Sequence, residues 1–227
     1  MTRSWLWLGA VLMATPAAAQ TVPDYDSPVK IVTIPASGDQ DAITCTAYAD
    51  VMVRISGTDT PDPDNALLLP PAPCGAGKPQ GVTLASQGES LDGRKGGFLV
   101  FEDTDPNGAS GFTVFDAHTG RQLFTDGMNA IQAVTLDAGV LHVRYTRGVN
   151  ATCSLFADRA GCWGKLLASG AIPHGAFAVP PSCAAYRQGT VPADDPSVVS
   201  YDAALTLDRQ GHAVVQPTGP LHCDPMP

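Results

Sequence analysis

Short runs in which apolar and polar side chains alternate, punctuated by Gly, Asp, Asn and Pro, make up most of this chain. Alternation at period two is the pattern of a strand with one buried and one wet face. Val29 to Ile34 and Ile43 to Ile55 are rich in β-branched residues and read as strands on either side of Ala36-Ser37-Gly38-Asp39, although Thr46 to Val53 also tolerates a helix. The most regular stretch is Phe98 to Glu102, Phe112 to Asp116 and Arg121 to Thr125, with turns at Asp105-Pro106-Asn107-Gly108 and His118-Thr119-Gly120. Near the C-terminus Tyr201, Ala203, Leu205 and Leu207 alternate with Asp202, Thr206 and Asp208, and Arg209-Gln210-Gly211 turns that strand into Ala213 to Gln216. Thr58 to Pro73 is rich in Pro and Asp and reads as loop.

A faint repeat runs through the middle. A shift of 41 residues lays Phe112, Val114, Phe115 and Gly120 on Cys153, Leu155, Phe156 and Gly161. A shift of 43 lays Phe98 on Leu141, Val100 on Val143, Leu123 on Leu166 and Gly127 on Gly170. That period is the length of a four-stranded propeller blade, in which each blade buries one face against the next. Two similar hairpins also arise in any antiparallel sandwich. The expected fold is therefore all-β and disulfide-stapled, either propeller-like sheets of about five blades or a β-sandwich.

The segment Val114-Phe115-Asp116-Ala117-His118-Thr119-Gly120-Arg121-Gln122-Leu123-Phe124 resembles the blade hairpin of pyrroloquinoline-quinone-type propeller repeats. In such hairpins a strand ends in Asp-Ala, turns through Thr-Gly and re-enters with Leu and an aromatic residue. The Thr-Gly corner supplies a hydroxyl acceptor and a residue free to take positive φ. The match spans one hairpin, and no quinone ligands accompany it, so the resemblance implies the hairpin shape and none of the redox chemistry. More loosely, the whole chain resembles uncharacterised exported proteins of Gram-negative bacteria.

The first nineteen residues follow the pattern of a cleavable leader. Arg3 gives a positive start, Trp5 to Ala14 an apolar stretch, and Ala17-Ala18-Ala19 a small-residue cleavage site. Ten apolar residues fall short of the roughly 20 that a membrane-crossing helix needs. The expected organisation is a signal peptide over 1–19, a lead-in over 20–28 and a single β-rich domain over 29–227. The expected compartment is the periplasm or the outside of the cell, with no membrane span after cleavage. Six cysteines then imply bridges. They permit 15 connectivities, of which sequential pairing is the expectation: Cys45–Cys74, Cys153–Cys162 and Cys183–Cys223.

Composition agrees with a turn-rich β protein, with two Glu and four Lys against twenty Asp, 23 Gly and 20 Pro. The formal net charge of −9 repels a phosphate backbone and argues against nucleic acid as a partner.

Candidate chemistry is sparse. Asp103, Asp105 and Asn107 set oxygen donors at alternate positions before Gly108, as in the first half of a calcium loop, so calcium is the one candidate cofactor. Val114 stands where the bidentate Glu belongs, and Asp-Pro-Asn-Gly is also a strong type I turn, the favoured reading. Asp59, Asp62 and Asp64 form an acidic loop, read as solvated. Gly75-Ala76-Gly77-Lys78 lacks the rest of a phosphate loop and reads as a turn. Ala85-Ser86-Gln87-Gly88 shares only part of a nucleophile elbow. His118, His142, His174, His212 and His222 show no zinc-ligand spacing. Trp163 follows Cys162 and is expected to pack over a bridge rather than stack on a sugar. These features favour a non-catalytic binding or scaffold module of the cell envelope, monomeric, with an envelope protein or glycan as partner. The alternative is a hydrolase of an extracellular polymer that uses Asp residues as acid and base.

Overall fold

A computed structural model of the chain describes residues 23–57, 65–75, 77, 79–86, 90–103, 110–187 and 191–226. The expected leader lies outside them. Among the described residues all strands fall into two antiparallel sheets. The first is a five-stranded meander of β1 (Lys30–Ile34), β2 (Ile43–Ala47), β3 (Met52–Ser56), β4 (Ala66–Leu69) and β5 (Val82–Leu84). The second runs β6 (Ser90–Lys95), β7 (Phe98–Asp103), β8 (Ser110–Asp116), β9 (Gln122–Asp137), β10 (Val140–Asn150), β11 (Ser197–Leu207) and β12 (Ala213–Pro217). A last strand, β13 (His222–Pro225), pairs with the Ser197 to Ser200 end of β11. Neighbours in sequence are neighbours in the sheets, as short hairpin connections dictate. The exceptions are β5 and β6, which lie in different sheets, and β13, which pairs with β11 rather than β12. The long crossover segment that joins the antiparallel neighbours β10 and β11 carries helix α1 (Arg159–Ala168) and a 3₁₀ turn, Ala184–Arg187.

The strands are all-β and arranged as a two-sheet sandwich rather than as separate four-stranded blades. The faint repeat does not mark a second hairpin. Residues 153–157 form turns, and Gly161 and Leu166 lie in α1. The helix forms there because Asp158 caps it, its side chain accepting from Gly161 N at 2.9 Å, while Cys162, Trp163 and Leu166 share one buried stripe. Gly170, at φ +73°, ends it. Ile43 to Ile55 is strand as its residues suggest, folded into the hairpin of β2 and β3. One further expectation is corrected. The presumed loop before Pro70 contains β4, all four residues of which are buried.

Burial explains the layering. Along β7, Leu99 and Phe101 face one side and Phe98 and Val100 the other, and all four are fully buried. Leu99 and Phe101, with Phe115 and Ala117, pack against Tyr48, Val51, Val53, Ala66, Leu68 and Leu84 of the five-stranded sheet. Phe98 and Val100 join Phe112, Val143, Tyr145, Tyr201 and Leu205 on the opposite face. That second face is covered by the crossover, through Leu155, Trp163, Leu166, Ile172 and Tyr186. The order is thus small sheet, large sheet, crossover.

The three disulfides are the sequential ones, Cys45–Cys74, Cys153–Cys162 and Cys183–Cys223. The last two pin the crossover to itself and to β13. The first ties the loop after β4 to β2. No helix among the described residues is long and apolar enough to cross a membrane.

The hairpin at 114–124 works as its residues suggest. Asp116 Oδ1 accepts from the N–H groups of His118 and Thr119 and from the Thr119 hydroxyl, at 2.8–3.0 Å. Arg121 N donates to Thr119 Oγ1, and Gly120 sits at φ +70°.

Candidate functional site

Strand β3 reads Met52-Val53-Arg54-Ile55, so side chains alternate between the two faces of the small sheet. Val53 enters the core between the sheets. Met52 turns to the outer face, with Ile43, Cys45, Leu67 and Leu69. Arg54 is directly opposite Cys45 on β2 and Leu67 on β4, and partners in register share a face. An arginine therefore stands in the middle of an apolar outer cluster.

What covers that cluster is the segment after β4. Pro70, Pro71 and Pro73 fix its backbone, and the Cys74–Cys45 bridge clamps it to β2. Between this segment and the sheet lies a pocket of about 330 Å³, walled by Met52, Leu69, Pro70, Pro73 and Pro79, with Arg54 in its lining. Arg54 is only 6 % exposed, and its Nε is buried with no hydrogen-bond partner. No carboxylate pairs with it among the described residues. Burial alone draws its pKa below the usual arginine value, yet a guanidinium keeps its proton throughout the range in which proteins work. A buried charge left without its counter-ion costs about 3–5 kcal/mol. The pocket therefore has a full positive charge and an unpartnered Nε–H in its lining, beside largely apolar walls, which is the chemistry of an anion receptor.

The carboxylates are spent differently. Burial would raise the pKa of Asp116, but Arg209 and the turn donors outweigh it and bring it down to about 2. Arg209 Nε and a terminal nitrogen donate to Asp116 Oδ2 at 3.0 and 2.9 Å. Asp50 is held low chiefly by Arg94, which grips both its oxygens. Asp126 accepts from Tyr145 Oη at 2.6 Å and from Arg147 Nε at 2.9 Å, and Arg147 also donates to Tyr201 Oη at 2.6 Å. These aspartates brace strands to one another. A cleft of about 440 Å³ beside Asp50 and His118 is similarly committed. His118 Nδ1 lies 3.3 Å from an Arg209 nitrogen, which can only donate, so the ring's N–H is at Nε2, 3.6 Å from Asp50. Both ring nitrogens are engaged, which suits a tie between elements rather than a general base.

Glu102 is the exception. Burial, assisted by the nearby charge of Asp92, pushes its carboxyl up to about 7. It lines a cleft of about 340 Å³ with Asp92, Asp103 and Ser110. Asp92 is the extra residue of a bulge in β6, since Leu91 pairs with Phe101 and Gly93 with Val100.

Of the residues singled out in the sequence, Asp103 closes β7 with its side chain exposed, whereas Asp105 and Asn107 lie outside the described residues. So do Asp59, Asp62 and Asp64. Among the described residues no three His, Cys, Asp or Glu side chains gather as a metal-ligand group. Ser86 is fully buried and donates to Asn65 Oδ1 at 3.3 Å, a structural role. Trp163 is buried in the same cluster as Cys162. Gly75 and Gly77 line the Arg54 pocket. Arg54 itself has one signal in the sequence, a cation at an outer-face position inside the apolar run of β3, and its weight depends on knowing that the outer face is covered. Comparison with protein-family models, curated proteins and solved structures finds no match to this chain.

Proposed function

We propose that this is an exported, periplasmic or secreted, monomeric binding module of the cell envelope, without catalytic activity, and that the Arg54 pocket is its binding site. The partner is an envelope protein or glycan that presents an anionic group to the pocket. One observation carries the reading: an arginine with 6 % exposure and no partner among the described residues lines a concave, disulfide-clamped site. The three bridges fit an oxidising compartment, and the commitment of Asp116, Asp50 and Asp126 to internal pairs fits a framework built for rigidity. Anything that binds the folded state raises its melting temperature. The mature protein is therefore expected to melt higher in the presence of soluble envelope fractions or small organic anions than in chloride of equal ionic strength. A flat response across the panel would remove the reading.

A second reading rests on Glu102. A carboxylic acid that burial, with the help of Asp92 nearby, keeps protonated near neutrality has the character of the general acid that glycoside hydrolysis uses. It differs from the sequence-based expectation in placing Glu, not Asp, as the acid. Hydrolysis of a polysaccharide panel that Glu102→Gln abolishes would favour it over the binding module.

A further inference from the structure

The walls of the Arg54 pocket say which anion it suits. A single guanidinium supplies one positive charge and a planar fork of donors, which match the charge and the two oxygens of one carboxylate. Among the described lining residues Arg54 is the one cation, so a phosphate or sulfate dianion would bring a second charge that none of them meets. Met52, Leu69, Pro70 and Pro73 offer carbon surface, so the group that carries the anion should be apolar. The prolines and the Cys45–Cys74 bridge hold these walls in place before anything binds, which lowers the ordering cost. At about 330 Å³ the pocket lies at the small end of ligand sites, which run from about 300 to 1,000 Å³.

We infer that the Arg54 pocket binds a carboxylate carried on a short apolar body, drawn from the C-terminus of a polypeptide ending in an apolar residue or from a free short-chain acid. The inference rests on the reading of this pocket as the binding site. The carboxylate lies against the guanidinium and the apolar body lies between Leu69 and the proline walls. Binding supplies the counter-charge that no described residue gives Arg54.

Calorimetric titration of the mature, fully bridged protein tests this with N-acetyl-leucine, hexanoate and a tetrapeptide ending in leucine, each beside its neutral partner (amide or alcohol), and with inorganic sulfate. The acids are expected to bind at least about tenfold more tightly than their neutral partners, the difference a lost charged hydrogen-bond pair makes. A tetrapeptide that outbinds hexanoate identifies the polypeptide terminus as the source, and the reverse order identifies a free acid. Arg54→Met is expected to abolish the preference for the acid while melting no lower than the wild type. The Arg54 Nε–H resonance of the wild-type protein should shift on adding acid and stay still on adding amide, a readout that needs no variant. Equal binding of acid and amide, or unchanged acid binding by Arg54→Met, would overturn the inference. Arg54-dependent binding of sulfate with neither acid bound would overturn the carboxylate assignment and leave the binding module standing. No binding of any anion would remove both.

Discussion

Glu102 and Asp116 show how differently this fold treats two carboxyl groups. Asp116 meets five donors and ionises early, so its contribution to stability is present above its unfolded value near 3.8 and is lost as pH falls toward about 2. Glu102 behaves in the opposite sense. Its folded value of about 7 lies above the unfolded 4.5, so the folded state holds the proton more tightly. The stability it confers is complete below 4.5 and drains away as pH rises through 7. Urea denaturation between pH 5 and 8 should therefore show a loss on the order of 2 kcal/mol, and Glu102→Gln should flatten that slope. A slope that survives the substitution would place the titrating group elsewhere. Neither shift could be read from the sequence. Both residues are acidic, both sit near strand ends, and only their three-dimensional surroundings separate them, Arg209 and the turn donors for Asp116 against burial, with Asp92 nearby, for Glu102.

At the scale of elements, the three bridges close loops of different span, with sequence separations of 9, 29 and 40. Chain entropy then ranks them at about 2.7, 3.6 and 3.9 kcal/mol in the same order. Paired Cys→Ala variants should lose denaturant midpoint in that sequence, with Cys153–Cys162 the least costly. A reversed ranking would mean that packing around the bridges outweighs loop closure. The elements also show which signals in the chain were readable. β7 and β8 are dense in aromatic and β-branched residues and the β11–β12 hairpin alternates cleanly, and all of them lie where their residues place them. β4 escaped because its buried Ala66 to Leu69 run is bracketed by prolines, which speak for loop, and carries no alternation when both faces are covered. α1 escaped because Gly161, Gly164 and two nearby cysteines lower its local helix signal, and it is the Asp158 cap and the core contacts of Trp163 and Leu166 that hold it. The Arg54 pocket was the least legible feature. Nothing local says that the outer face of β3 lies beneath a clamped loop.

For the molecule as a whole, the decisive feature is that β7 and β8 are buried on both faces. Their residues contribute to the core shared with the small sheet and to the core shared with the crossover. Damage on either side therefore reaches all three layers. Phe101→Ala removes a fully buried ring that meets Phe115 edge-on at 5.4 Å between the sheets, and should cost about 3–5 kcal/mol. Fluorescence of Trp163, which lies beyond the large sheet, should report the same lowered midpoint as a probe in the small sheet. Two separated transitions would show that the sheets fold independently.

The order of the cross-links has a consequence for biogenesis. The cysteines pair off in order along the chain, first with second, third with fourth and fifth with sixth, and no bridge spans another. In a chain exported as proposed, threading N-terminus first through a translocation channel exposes each correct thiol partner before the next, wrong one can compete. Oxidation in order of emergence is then already the native pattern. The chain asks its host for an oxidant and makes no demand on an isomerase.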